Sequence, residues 1–385
     1  MRRRTDGVEE AQVLQRVTHP HEPEHQRVTR TRTTHRSRRK PVPNPEHHPM
    51  PRPAPRPLRR RALLSAGASG AALGLSALTA GPAAASARGF RVWRGQLLDG
   101  RGRPFVMRGA NHGHAWYPER THVWADMAAA GANTIRVVTS GGRWGTTSAQ
   151  EISAIIDRSQ QHRMVCVLEN HDTTGYGDDA AATSLEQAAQ YWVSVRQALK
   201  GRERHALLNI GNEPLGNALA AQWTEQTVAA VRTLRRAGIR NTLVVDAPNW
   251  GQDWSGTMRE GAPAVLRSDP HRNVVFSVHM YGVYDTGEEV RAYVDSFHER
   301  GLPLIVGEFG HDHSDGPVDE DAIFEHTARR RTGWLAWSWS GNSGGVEYLD
   351  MVEGFDASRR TWWGERVVSG PHGWSTTSRP ASTHR

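Results

Sequence analysis

The chain has 385 residues, with 48 Lys plus Arg against 40 Asp plus Glu, one cysteine and 14 tryptophans. That length suits one large domain or two ordinary ones, and the lone Cys166 excludes an internal disulfide framework and any multi-cysteine zinc or iron–sulfur centre. The formal charge of +8 would suggest a nucleic-acid partner if it lay on the folded domain, but residues 1–87 carry 16 basic and 6 acidic side chains, the rest carry 32 and 34, and every tryptophan follows residue 87.

Residues 1–49 are rich in Arg, His, Thr and Pro. They offer too little apolar burial to offset chain entropy and are expected to be disordered. From Met50 onward, Arg59-Arg60-Arg61 precedes Leu63-Leu64, a mildly apolar run follows, and Ala85-Ser86-Ala87 closes it. This order reads as a twin-arginine-type signal peptide over 50–87 and predicts a secreted, extracellular product that keeps no membrane anchor after cleavage. Its Gly, Ala and Ser content and Pro82 argue against a transmembrane helix. Signals normally start a chain, so residues 1–49 read as a gene-model extension, with a long leader as the alternative.

A single domain is expected over 88–374. FRVWRGQLLDGRGRPF (90–105) reads as a hairpin turning at Asp99-Gly100. Eight short apolar runs follow, at 105–111, 133–139, 164–170, 207–213, 242–248, 274–280, 304–309 and 334–340. Helical patterns lie between them at 118–130, 148–162, 184–200, 218–237, 258–267, 287–300 and 319–330, and one more at 361–368. Runs apolar on both faces indicate buried parallel strands, and eight strand–helix units predict a (β/α)8 TIM barrel with the N-terminal β-hairpin plugging the barrel floor. A doubly wound sheet is the alternative; its nucleotide-binding versions carry a Gly-rich turn after the first strand that is missing here. Residues 375–385 read as a disordered tail.

Chemistry in such a barrel sits at the C-terminal strand ends, and polar residues collect there. The first strand ends in Asn111-His112-Gly113-His114-Ala115-Trp116, the second carries Arg136, and the third ends in Glu169-Asn170-His171-Asp172. The fourth ends in Asn212-Glu213-Pro214, the fifth leads into Asn249-Trp250, and the sixth ends in His279-Met280-Tyr281. Glu308 ends the seventh, while Trp337 and Trp339 lie on the eighth. Polar groups in a barrel mouth cost desolvation unless a ligand or a network uses them. Glu213 and Glu308 can divide labour as acid and nucleophile, which glycoside hydrolysis with retention requires at a separation of about 5–5.5 Å. Arg136 and Tyr281 are placed to keep one carboxylate ionised, Asn212 to bind a sugar 2-hydroxyl, and Trp116, Trp250 and Trp337 to offer flat faces to pyranose rings.

GNEP (211–214), HMY (279–281), GEFG (307–310), Arg136 in NTIRVV and His171 in LENHD together resemble glycoside hydrolase family 5 of clan A. NHGHAWY (111–117) and GWLAWSWSGNSGGVEYLDMV (333–352) look like its bacterial endo-β-1,4-mannanases, and the resemblance covers residues 90–374. It implies a retaining double displacement with Glu308 as nucleophile and Glu213 as acid/base. Arg136, His171, Asn212, His279, Tyr281 and Trp337 then line the subsite where the bond breaks, and Trp337 is favoured over Trp339 as the sugar platform. The expected partner is a β-mannan polysaccharide, met by a monomer without cofactor or metal. An endo-β-1,4-glucanase of the same family is the alternative, and a non-catalytic polysaccharide-binding barrel a lesser one.

Weaker signals have plainer readings. The pairs His112/His114 and His311/His313 lack a third ligand set. The acidic stretch 312–321 lacks the order of a calcium loop and reads as a solvated turn with a helix N-cap. Cys166 reads as a small core residue, and a domain balance of −2 gives nucleic-acid binding no support.

Overall fold

The computed structural model describes residues 89–384. The leader and signal-peptide expectations fall on residues outside that range. Each of the eight apolar runs overlaps a strand: β1 Arg108–His112, β2 Thr134–Thr139, β3 Val165–Asn170, β4 Ala206–Asn209, β5 Leu243–Asp246, β6 Val274–Met280, β7 Leu304–Phe309 and β8 Gly333–Ala336. Neighbours pair in parallel in chain order, and β8 returns to β1 through Trp334 opposite Arg108, closing the barrel.

The helices sit where the 3.6-residue pattern predicts them: α1 Val123–Ala130, α2 Ala149–Gln161, α3 Leu185–Ser194, α4 Trp223–Arg236, α5 Thr257–Ser268, α6 Gly287–His298, α7 Glu320–Arg330 and α8 Trp362–Val368. Capping boxes at Ser148/Glu151 and Ser184/Gln187 satisfy orphan amides at the starts of α2 and α3. Asp319 caps α7 through the Ala322 amide, as expected for the acidic stretch. Among the described residues no helix is long and apolar enough to cross a membrane.

Alternation along each strand sorts the side chains into two cores. The outward set, including Ile135, Val137, Cys166, Leu168, Leu208, Val245, Phe276 and Val278, packs against the helices. Cys166 is fully buried there, which pushes its thiol up to about 12. The inward set at the lower end comprises Val165, Val167, Leu207, Val244, Val275, Ile305 and Leu335, sealed from below by Phe90, Leu97, Phe105 and Met107. The N-terminal hairpin therefore plugs the floor, but its strands Arg91–Trp93 and Gln96–Leu98 turn at Arg94-Gly95, where both φ angles are positive. The Asp99-Gly100 signal belongs to a second turn, in which Asp99 accepts hydrogen bonds from the Arg101 and Arg103 amides.

The expectation of a disordered tail is corrected for residues 375–384. Trp374–Thr377 is helical, Ala381 joins the floor cluster, and Asp99 accepts hydrogen bonds from the Ser382 amide and hydroxyl. Small and polar side chains carry this docking, so hydropathy gave no sign of it.

Candidate active site

Above the apolar floor the inward rows become polar. Val165 and Val167 are followed on their face of β3 by Glu169, Leu207 on β4 by Asn209, Val244 on β5 by Asp246, and Val275 on β6 by Ser277 and His279; all five polar residues are at most 1% exposed. Arg136 rises from β2 into their midst. Its Nη1 donates to Glu308 Oε1 at 2.6 Å and to Asn111 Oδ1 at 2.7 Å, its Nη2 to Asn212 Oδ1 at 2.7 Å and Asp246 Oδ2 at 3.1 Å, and its Nε to Asn209 Oδ1 at 3.0 Å. Burial works against the guanidinium charge, but Glu169, Glu308 and Asp246 outweigh it and strengthen its hold on the proton. Arg136 thus serves as a fixed cation.

Glu308 is aimed inward by an irregularity in β7. Val278 pairs with Val306 while the next residue, His279, pairs with Glu308, so Gly307 is the extra residue of a bulge, a device that re-aims side chains near active sites. The Tyr281 hydroxyl donates to the second oxygen of Glu308 at 3.0 Å. Both oxygens of this carboxylate are therefore held.

Glu213 lies beyond the end of β4, in a loop braced by the one after β3. The Asn212 amide donates to the Asn170 carbonyl, the Thr173 hydroxyl to the Asn212 carbonyl, and the Gly175 amide to the Glu213 carbonyl. The backbone of Glu213 has φ +39°, a left-handed conformation that a non-glycine residue keeps only where its surroundings enforce it. Its Oε1 sits 2.7 Å from His279 Nδ1. Burial raises the Glu213 carboxyl above the ordinary range, with His279 pulling the other way.

His279 is ringed by three carboxylates: Glu213 at 2.7 Å, Asp246 at 3.4 Å and Glu308 at 3.6 Å. Burial disfavours its charge, yet Glu308, Asp246 and Glu213 together lift the imidazole to about 10. One oxygen from each of Glu213 and Glu308 and a ring nitrogen of His279 lie within 4.8 Å of one another. The spacing would suit a metal ion, but hydrogen bonds already occupy these atoms: Arg136 and Tyr281 hold the two oxygens of Glu308, and His279 Nδ1 meets Glu213 Oε1.

A wall of rings borders the carboxylates. Trp337 stacks on His171 at 5.9 Å with 20° between planes, and Trp116 meets His171 edge-on at 5.1 Å. Trp144 completes the wall, 5.6 Å from Trp116 and 5.4 Å from His171. Trp337 is oriented through its indole N–H, which donates to Asn342 Oδ1, while Asn342 in turn donates to Asp350.

Of the residues expected at the site, Arg136, His171, Asn212, Glu213, His279, Tyr281, Glu308, Trp116 and Trp337 come together. Two do not. Trp339 is 1% exposed and packs in the outer core with Met351 and Trp363, because β8 ends at Ala336 and the two-residue alternation no longer applies beyond it. Trp250 lies apart from the ring wall, packed over Gly175 with its indole N–H donating to Asp178. The sequence reading missed Trp144, which follows the end of β2 in a Gly-rich loop, and the inward polar residues Asn209 and Asp246; it placed Asn111 and Glu169 at strand ends but gave them no role. His112 and His114 face Trp124 of α1 rather than the cleft, and burial holds them neutral, down to about 3 and about 4.

A barrel with paired carboxylates at the ends of its fourth and seventh strands is the architecture of a glycoside hydrolase. Residues 98–343 match the family model described as cellulase (glycosyl hydrolase family 5), and the chain belongs to that family. It is 54% identical to a mannan endo-1,4-beta-mannosidase of Streptomyces lividans, over 85% of this chain and 86% of that one. Among solved structures it resembles the beta-mannanase of Thermomonospora fusca, with a TM-score of 0.76 and 49% identity over 78% of this chain and all of the other. It also resembles the beta-mannanase of Streptomyces thermolilacinus, solved with mannohexaose, with the same score and identity over 77% of this chain and 98% of the other.

Proposed function

We propose that this enzyme is a secreted endo-β-1,4-mannanase that cleaves internal mannosidic bonds of mannan, glucomannan or galactomannan by double displacement with retention. The observation that carries the mechanism is the approach of one Glu213 oxygen to within 4.8 Å of one Glu308 oxygen, which fits carboxyl groups at the roughly 5–5.5 Å of retaining glycosidases better than the ~6.5–9.5 Å that inversion needs to admit a water. Activity on mannan is supported by the mannanase relatives, which span most of the chain; a glucan preference has no comparable support.

In the first step Glu213 gives its proton to the glycosidic oxygen while a Glu308 oxygen attacks the anomeric carbon, so the leaving chain departs neutral and a glycosyl–Glu308 ester forms. Arg136 and Tyr281 hold Glu308 and disperse its charge. In the second step Glu213, now ionised, takes a proton from water, the hydroxide displaces Glu308, and both carboxyl groups return to their starting states. His171, Trp116, Trp144 and Trp337 form the apolar wall against which the sugar face rests.

Initial rates and products on linear mannan and carboxymethylcellulose test the substrate, and NMR of the first-formed anomer tests the stereochemistry. Internal cleavage of mannan with β-products first is the expected result. Faster turnover of the cellulose derivative would overturn the mannan assignment, and α-products the retention. Glu308→Ala is expected to abolish turnover while leaving polymer binding; unchanged turnover would remove Glu308 from the mechanism.

A further inference from the structure

Asp246 takes no part in the mechanism above, yet it touches both of its cations. It ends β5 at 1% exposure, lies 3.1 Å from Arg136 Nη2 and 3.4 Å from His279 Nε2, and accepts from Asn209 Nδ2 at 3.1 Å. It is too deeply buried to meet substrate, so any effect passes through a neighbour. The two cations depend on it unequally. Arg136 keeps Asn111, Asn209, Asn212 and Glu308 as acceptors without it. The His279 Nε2 atom is buried and, among the described residues, has no hydrogen-bond partner, leaving the Asp246 carboxylate as the charge that faces it.

We infer that Asp246 is a positioning residue for the acid half of the site, holding His279 as an imidazolium whose Nδ1–H fixes one Glu213 oxygen and leaves the other oxygen's proton for the glycosidic bond. The inference rests on the double-displacement reading. With His279 cationic, its Nδ1 can only donate to Glu213. With His279 neutral and its proton on Nε2, the Nδ1 lone pair would draw the Glu213 proton away from the substrate. The space for this arrangement is specifically made: a Cβ on Gly251 would lie 2.7 Å from the His279 ring, and the His279 amide donates to the Gly251 carbonyl.

The charges around the ring agree with the assignment. Facing His279 are Glu213 from the loop after β4, Asp246 from β5 and Glu308 from β7, while Arg136 from β2 engages Asp246 and Glu308 and Tyr281 beyond β6 engages Glu308. Glu169 of β3 is paired with His171 one step away. Arg136 and His279 are the cations that Asp246 and Glu308 face, Glu169 lies 4.0 Å from Arg136 as a further anion, and the Glu213 proton is the one to be transferred. Removing the Asp246 charge lowers the pH at which the Glu213–His279 pair loses its first proton, since a nearby anion favours the protonated state of both.

The test is the isosteric variant Asp246→Asn. On mannan the basic limb of kcat/KM is expected to move to lower pH by about one unit, and the loss of rate to exceed by about tenfold the loss on a 2,4-dinitrophenyl β-mannobioside, whose leaving group needs no proton. Equal losses on both substrates, or an unmoved basic limb, would overturn the inference. A readout that needs no substrate separates it from the mannanase reading: nitrogen-15 NMR of labelled histidine is expected to show His279 doubly protonated at pH 7 in the wild type and neutral in Asp246→Asn. A neutral His279 in the wild type at pH 7 would refute the inference even if the variant fails to fold, whereas a wild type inactive on mannan would refute the substrate assignment alone.

Discussion

Gly307, the first residue of the GEFG motif, shows how one missing side chain supports the site. A Cβ there would lie 2.1 Å from the Ser277 hydroxyl of β6, closer than the two atoms can approach without one moving, and 3.3 Å from His279 Nε2, a tight contact. The same residue forms the bulge that aims Glu308. Gly307→Ala is therefore expected to destabilise the fold by about 1–3 kcal/mol through overpacking. It should also lower kcat by about 100-fold, the cost of displacing a reacting group by ~1 Å. Denaturant unfolding and turnover on mannan measure the two effects; a folded variant with wild-type kcat would show that β6 yields instead. At this scale the motifs were legible because GNEP and GEFG place a carboxylate beside a glycine and a proline, whose backbone demands leave their own mark in the sequence. Tryptophans leave none: Trp116, Trp250, Trp337 and Trp339 all follow strands, and only the loop path decides whether an indole meets solvent, a sugar or the core.

At the level of elements, the strands and helices were readable because each carries its own period, and the inward polar residues were missed for a related reason. A run such as LVVD or LLN was read as apolar with a polar end, but taken two residues at a time it is an inward row that begins on the floor and ends in the network. Loops have no such period, and the one after β7 illustrates what fixes them. Its short hairpin pairs Asp312–His313 with Gly316–Pro317 and lays the His313 ring 4.4 Å from that of Tyr281, the residue holding Glu308. Asp315 anchors it, accepting from His313 Nδ1, the Gly282 amide and Gln252 Nε2. Burial opposes ionisation of Asp315, but these donors and the His313 charge win and bring its carboxyl down to about 2 from an ordinary 3.8. A carboxyl depressed on folding adds stability that is complete above the unfolded value and is lost as pH falls through the folded one. Asp315→Asn is thus expected to melt below the wild type by the equivalent of on the order of 1–2 kcal/mol above pH 4, with the gap closing between pH 4 and 2. A gap independent of pH across that window would show that the anchor works by shape rather than charge.

Across the whole molecule, function and closure occupy opposite ends of the barrel. The carboxylates lie at the C-terminal ends of β4 and β7, while both chain ends of the domain meet under the N-terminal ends of the strands. Ser382 bonds Asp99 of the floor turn, the Arg379 carbonyl accepts from Asn133 ahead of β2, and the Thr377 hydroxyl accepts from Arg108 at the start of β1. Arg108 is 2% exposed, and its other acceptors are the carbonyls of Met107 and Thr332, with the Trp334 ring 5.1 Å from its guanidinium. Burial, with no carboxylate partner among the described residues, pulls Arg108 down to about 9, so each neutral acceptor there carries weight. Deleting residues 375–385 removes the Thr377 acceptor from Arg108, two donors from Asp99 and Ala381 from the floor cluster. A buried polar group left unpaired costs on the order of 1–3 kcal/mol, and each kcal/mol lowers the midpoint of a domain of this size by about 2–4 °C. The truncated enzyme is expected to melt well below the full chain yet to turn over mannan at the same rate at 25 °C, since the described residues of the deleted segment dock at the barrel floor. Thermal unfolding followed beside initial rates separates these outcomes: an unchanged midpoint would mean that the hairpin alone closes the floor, and a reduced rate at 25 °C in a fully folded sample would mean that the floor and the catalytic carboxylates are coupled through the strands.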